Sequence, residues 1–443
     1  MRPDDSSHRA DTACAGQTHI SAPSAPDAPD LAQIIRVFGR IGLLSFGGPA
    51  AQIALMHREL VETRPWLDED TFLRALSLCM LLPGPEAMQL ATYAGWRLRG
   101  TIGGLIAGGL FVLPGAVLIA ALVWLYAAFG TLPLVQAAFL GIKAAVVVIV
   151  IQALKTLSAK ALTTRPAWIL AGLSFLGIFA LNLPFPLLIA GAALYGALWS
   201  TDAATHAPRA SKTGNPLRVA LIWAVIWLSP LVLLTLTGPT LLADLGWFFA
   251  RLAVVTFGGA YAVLAYMTQT VVSDHGWIST AQMIDALGLA ETTPGPLILV
   301  TQFVAMLTGQ SQGGPTLALA AGLTALWATF VPCFLWIFLA GPFLDQIADR
   351  PRISAALQAI TAAVVGVILN LSLWFALHVW FGTVTARALG PLTLPLPDPG
   401  TFNIQALAFS GLAALLMLIL RLPLLHSLAL CAGAAMGWAI LAG

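Results

Sequence analysis

From residue 31 onward the chain is an almost unbroken succession of apolar runs, each near the roughly 20 residues a helix needs to cross a bilayer. A bilayer interior supplies no water to backbone N–H and C=O groups, so runs of this length must satisfy them within helices. Composition agrees: 59% of the 443 residues are hydrophobic and only 9% charged, against roughly 25% charged in an ordinary soluble domain. The mean hydropathy is +0.88. The expectation is an all-α polytopic membrane protein.

Apolar spans fall near 31–48, 71–97, 102–128, 132–154, 167–182 and 185–199, and after a polar stretch near 217–237, 241–260, 281–309, 315–345, 353–381, 403–420 and 422–442. These are about thirteen candidates at the usual length requirement. Arg36, Arg40 and Arg251 make 31–48 and 241–260 the ones that can either cross or re-enter. Residues 1–30 are polar and lack the apolar core of a secretory signal, so they read as a disordered cytoplasmic tail. Residues 200–216, "STDAATHAPRASKTGNP", read as a linker between an N-terminal repeat, 31–199, and a C-terminal repeat, 217–443.

The repeat itself is visible in register. "FGRIGLLSFGGPAAQIALM" from Phe38 resembles "FARLAVVTFGGAYAVLAYM" from Phe249, and the match runs on through Trp66 with Trp277 and Pro83-Gly84-Pro85 with Pro294-Gly295-Pro296. The offset stays at 211 residues, which chance likeness of apolar sequence does not maintain. Lys and Arg in short loops mark the cytoplasmic side. Arg97 and Arg99, then Lys155, Lys160 and Arg165, then Arg209, Lys212 and Arg218 mark loops two spans apart. One further span from 217 starts the second repeat on the opposite face, and Arg350, Arg352 and Arg421 keep the parity with Arg387 as the exception. The halves therefore read as inverted-topology repeats, an architecture that places substrate near the midplane.

Pro inside a helix removes a hydrogen bond and clashes with the preceding turn, while Gly permits backbone angles that other residues avoid. Both Pro-Gly-Pro motifs are expected to divide their spans into half-helices. Unpaired backbone at membrane depth is tolerated only inside protein or beside a cavity. A half-helix restarting after a break offers free N–H groups and a positive dipole end, which suits an anion. Ser45, Gly47 and Gly48 in "SFGGP", and Thr256, Gly258 and Gly259 in "TFGGA", form a second break in each half. Taken singly each motif also fits a kink or a close-packed glycine; their recurrence in register favours a binding site.

Arg40 and Arg251 precede the hydroxyls by five residues with no acid aligned beside either. They are candidate counter-charges for a dianion, or arginines that snorkel to the interface. Glu86 follows the first Pro-Gly-Pro and Glu291 precedes the second, and a carboxyl at membrane depth is a candidate proton carrier; Glu86 equally suits a half-helix N-terminus. Gln89, Thr292, Thr293 and Gln302 are neutral hydrogen-bonding groups near the breaks. His57, Arg58, Glu59 and Glu62 read as a solvated segment. Cys14, Cys79, Cys333 and Cys431 have no metal or disulfide spacing, a net charge of +2 argues no nucleic acid, and no P-loop, HExxH or nucleophile elbow appears. No enzyme activity, cofactor or metal is expected.

At these motifs the chain resembles the long, two-domain form of the chromate ion transporter family, through "FGRIGLLSFGGPAAQIALMHREL", "LLPGPEAMQLATYAGWRLRG", "RLAVVTFGGAYAVL" and "GLAETTPGPLILVTQF". The resemblance implies chromate export across the inner membrane and chromate resistance, driven by the proton gradient or membrane potential. The residues alone indicate only an anion site in a duplicated transporter. Sulfate, a tetrahedral dianion of similar size, is the alternative substrate, and a passive anion channel the alternative mechanism. The expected partners are such an oxyanion and membrane lipids, with a homodimer left open.

Overall fold

A computed structural model describes residues 29–199, 215–257, 260–343, 351–390 and 392–442. The expected tail and linker lie outside the described residues except at their edges, where each supplies the cap of the helix that follows. Asp30 caps α1 (Leu31–Leu44) in a reciprocal capping box with Gln33, and Asn215 caps α8 (Pro216–Thr237).

After α1 the chain forms α2 (Gly48–His57), which continues as a π-helical turn over Arg58–Glu62, and then α3 (Glu69–Leu81), α4 (Glu86–Phe129), α5 (Pro133–Ala161), α6 (Arg165–Phe179) and α7 (Phe185–Leu198). Beyond α8 come α9 (Thr240–Val255), α10 (Ala260–Thr268), α11 (Thr280–Thr292), α12 (Val300–Ala340) and α13 (Pro351–Trp380). The chain ends with α14 (Ile404–Ala414) and α15 (Leu424–Ala442). Among the described residues, six helical segments are long and apolar enough to cross a membrane, and α6, α7 and Ile404–Ile419 are shorter apolar helices. Apolar side chains cover the outside, Leu236 and Leu441 being 76% and 88% exposed, as lipid contact permits.

Of the about thirteen expected spans, four need correcting in a regular way, while the boundaries between 71–97 and 102–128 and between 281–309 and 315–345 are found as expected. α4 has 44 residues, about 66 Å at the usual helical rise, more than twice a hydrocarbon core of about 30 Å. It is two helices, broken at Arg99 and Gly100, where Gly100 takes φ 62° and ψ −156°. α12 breaks likewise at Gly314, with φ 73° and ψ −164°. This backbone region is open essentially to glycine alone. The pieces then fold back: a Cβ on Gly95 would overlap the carbonyl of Gly103, and one on Gly108 would overlap the Thr92 hydroxyl, so 86–98 lies antiparallel against 101–129. Gly309 against Leu317 and Ala318, and Gly322 against Met306, place 300–313 against 315–340 in the same way. The two long pieces pack on each other antiparallel, Gly108 facing Phe334 and Gly104 facing Phe338.

The expected spans 31–48, 71–97, 241–260 and 281–309 therefore end or restart at their breaks. Arg40 on α1 reaches Glu59, beyond the end of α2, at 3.9 Å. Phe248 on α9 meets Tyr266 on α10 at 6.1 Å between ring centroids. Asp285 on α11 and Phe303 on α12, nine residues to either side of Pro294, both meet Tyr126. In each case chain before the break lies beside chain after it, as in a helical hairpin. At the foot of the first pairs Arg99 Nε donates to the Pro29 carbonyl at 2.6 Å, and the His57 ring nitrogens meet Glu69 at 2.7 Å and Glu62 at 3.1 Å. The Glu69 hydrogen bond, with the charge of Glu62 behind it, raises the His57 pKa above 6.5, while backbone and side-chain hydrogen bonds from Thr71 lower that of Asp68.

One element was not read from the sequence. Within "GTVTARALGPLTLPLPDPGT", β1 (Val384–Leu389) pairs antiparallel with β2 (Leu392–Pro397) in a register running from Val384↔Pro397 to Leu389↔Leu392. Its two prolines in β2 suit an edge strand, and the Thr393 N–H donates to the Ala180 carbonyl at the end of α6.

Candidate functional site

The four breaks share local geometry copy by copy. Ser45 (φ −76°, ψ 57°) and Thr256 (φ −75°, ψ 80°) end α1 and α9. Each is the centre of an inverse γ-turn, closed by Phe46 N–H to Leu44 O at 2.9 Å and Phe257 N–H to Val255 O at 3.0 Å. Gly47 and Gly48 follow with φ 89° and 77°; Gly258 and Gly259 lie outside the described residues. In the Pro-Gly-Pro motifs, Leu82 and Thr293 are extended, Gly84 and Gly295 take φ 122° and 88°, and Pro85 and Pro296 cap the helices that restart.

These breaks bond across the two halves. The Gly84 N–H donates to the Thr256 carbonyl at 2.8 Å, and the Gly295 N–H donates to the Ser45 carbonyl at 2.9 Å. The bonds are reciprocal, since 45 and 256, like 84 and 295, are the residues 211 apart. Each Pro-Gly-Pro is thereby held against the hydroxyl-glycine break of the other half. Their depth is set by Gly115, the central residue of 101–129, which abuts the Pro294 carbonyl and lies beside Gly295. The breaks thus sit midway along a bilayer-length helix.

Three half-helices, starting at Gly48, Glu86 and Leu297, begin here with no side-chain cap on their first N–H groups. Such ends carry partial positive charge and unspent donors, the chemistry of an anion cradle.

The expected side-chain ligands are engaged differently. Ser45, Thr256, Thr292 and Thr293 each donate to a carbonyl three or four residues back, Ser45 to Ile41 at 2.5 Å and Thr256 to Leu252 at 2.5 Å, so they close helix ends. Gln89 donates to the Pro83 carbonyl at 2.7 Å and Gln302 to the Ala116 carbonyl at 2.9 Å, leaving both buried Oε1 atoms unpartnered among the described residues. Glu86 opens the 86–98 arm. Glu291 is buried and accepts from the Tyr261 hydroxyl at 2.9 Å. The Arg40 side chain is 59% exposed, as the snorkelling alternative has it, and it has an acid partner that the sequence did not align with it, Glu59, which also binds Arg64 at 2.5 Å. Arg251 is exposed as well.

Gln52 was missed. It is buried, and its Nε2 donates to Gly295 O at 2.7 Å and Ser45 O at 3.2 Å, bridging breaks of both halves. An apolar residue, Val263, stands at its repeat position, so the duplication did not point to it. A cavity of about 550 Å³ lies elsewhere, beneath the β-hairpin, lined in part by Asn182, Thr268, Asn370 and His378.

The family model described as "Chromate transporter" matches residues 32–197 and 243–438. The chain is 32% identical over 361 residues to a chromate transport protein of Cupriavidus metallidurans, covering 81% of this chain and 84% of that one. It is 33% identical over 347 residues to a chromate transport protein of Pseudomonas aeruginosa (76% and 79%), and 31% identical over 341 residues to a probable chromate transport protein of Synechococcus elongatus (76% and 82%). No solved structure matches.

Proposed function

This chain belongs to the chromate transporter family, and from that premise we propose that it moves chromate out of the cell across the inner membrane as a secondary transporter. The observation that carries this reading is the pair of reciprocal hydrogen bonds that join uncapped half-helix starts from both halves midway along a membrane-length helix. In a repeat transporter such a place, shared by both halves, is where alternating access needs its substrate.

The halves are related by inversion in this reading. Antiparallel packing of 101–129 on 315–340 supports it, as does the direction of the arms, 86–98 running from the breaks toward the start of 101–129 and 300–313 toward the start of 315–340. The first pair of hairpins then opens to the cytoplasm and the second to the exterior, with nine crossings. Backbone N–H groups cradle the dianion, and Gln52, Gln89 and Gln302 hold the backbone of the breaks in place. Glu291 with Tyr261, and Glu86 at a helix start, are the proton-coupling candidates.

The test is purified full-length protein in proteoliposomes with chromate on both sides and an imposed pH gradient or potential. Uphill chromate movement is expected, with sulfate competing for it. Strictly downhill flux would instead establish a channel.

A further inference from the structure

The arginines expected to balance the dianion are exposed, yet one cation does lie deep in the protein beside a break-bearing arm. Lys143 on α5 has a side chain only 16% exposed, and its Nζ is 2.8 Å from Oδ1 of Asp285, itself 2% exposed. The other carboxylate oxygen accepts from the Tyr126 hydroxyl at 2.7 Å. Tyr126 belongs to 101–129 and packs edge-on against Phe139 of α5 and Phe303 of α12, at 5.4 and 5.7 Å. Gly288, one turn further along α11, faces Ile142 and Val146, so α11 runs alongside α5 toward the second Pro-Gly-Pro. The cluster therefore joins the scaffold of the first half to the arm that carries Pro294-Gly295-Pro296, nine residues or about 13 Å from it along the helix.

A buried ion pair is costly, and well-packed apolar residues commonly replace one without loss of stability; at membrane depth charged groups mark ion routes. The pair is also absent from the other copy, where Arg74 stands at the position of Asp285. Duplication alone does not account for it.

We propose that Lys143 is the cation that meets the oxyanion on the outer side of the breaks, with Asp285 the counter-ion it exchanges for the anion and Tyr126 the group that retains Asp285 when Lys143 leaves. This rests on the oxyanion-transport reading above. It makes Lys143 a substrate-contact residue, and Asp285 and Tyr126 positioning residues.

Chromate uptake into proteoliposomes containing full-length protein tests it. In the double variant Lys143→Gln/Asp285→Asn both charges are gone, so membrane abundance and melting should stay near wild type while KM for chromate rises about tenfold or more, the loss of one charge-assisted hydrogen bond. Lys143→Arg should keep KM within a few-fold of wild type. A double variant with wild-type KM overturns the proposal and leaves the pair a structural tether. Should that variant fail to reach the membrane, Asp285→Asn decides: KM must fall, because Lys143 is no longer shared, and an unchanged or raised KM overturns the proposal. Wild-type protein that moves neither chromate nor sulfate defeats the transport reading itself, before any variant is compared.

Discussion

At the scale of single residues, Gly84 and Gly295 are the positions where chemistry leaves no choice. Both have positive φ, and a Cβ on Gly84 would come within 2.8 Å of Gln89 Nε2 and 3.0 Å of Cys333 Sγ, while one on Gly295 would meet the Phe111 carbonyl at 3.3 Å. Strain of about 1–3 kcal/mol at such a backbone position adds to displacement of the Gln89 amide. Gly84→Ala and Gly295→Ala are each expected to lower the melting temperature of the purified protein and its chromate transport. Gly39→Ala, inside α1 with nothing within 4 Å of the new methyl, is expected to be neutral or to stabilise by up to about 1 kcal/mol. Gln52→Leu keeps the volume but removes both donors at a junction of two breaks. It should cost about 1–3 kcal/mol by leaving buried carbonyls short of a partner, read by thermal melting, with transport impaired further than stability. That Gly84 and Gly295 need glycine was legible from Pro-Gly-Pro; Gln52 was not, because a lone Gln in an apolar run carries no sign of what its amide will reach.

At the scale of elements, the hairpins are built at their tips by backbone and at their feet by side chains. His57 joins the end of α2 to the start of α3 through Glu69 and to the π-helical turn through Glu62. Its pKa is raised in the folded protein, so its stabilising contribution is complete below the unfolded value of 6.5 and is lost as pH climbs through the higher folded one. The melting temperature should accordingly fall between about pH 6 and pH 8. His57→Gln should flatten that slope, measured in one detergent at constant ionic strength. The turns at Gly100 and Gly314 fall where the sequence placed loops, between 71–97 and 102–128 and between 281–309 and 315–345. What was not read is that each arm before the turn is a half-span packed back on the helix after it, as Gly95 against Gly103 and Gly309 against Leu317 show.

At the scale of the whole molecule, the proposed inversion puts the two helical turns on opposite faces of the membrane. In a chain stripped of its native cysteines, Thr101→Cys and Ser311→Cys, both exposed, should react with a membrane-impermeant thiol reagent from opposite sides. Labelling from the same side would contradict inversion. With nine crossings, a tag after residue 443 should lie on the face opposite the N-terminus, detectable by protease access in oriented vesicles.

Membrane residence, helical architecture, duplication and the positions of the four breaks were determined by the sequence alone, because each depends on local properties: hydropathy, the missing N–H of proline, the permissiveness of glycine, and a constant offset. Which break meets which was decided only by tertiary structure. Gly84 bonds to Thr256 and Gly295 to Ser45, a crossing between halves that no local pattern encodes. Side-chain direction was decided there too. Arg40 and Arg251 sit on exposed helix faces although their spacing matches the breaks, while Lys143 and Asp285, 142 residues apart, become partners because α5 and α11 run side by side. Charge inside a membrane protein is placed by what packs around it, and that is a property of the fold.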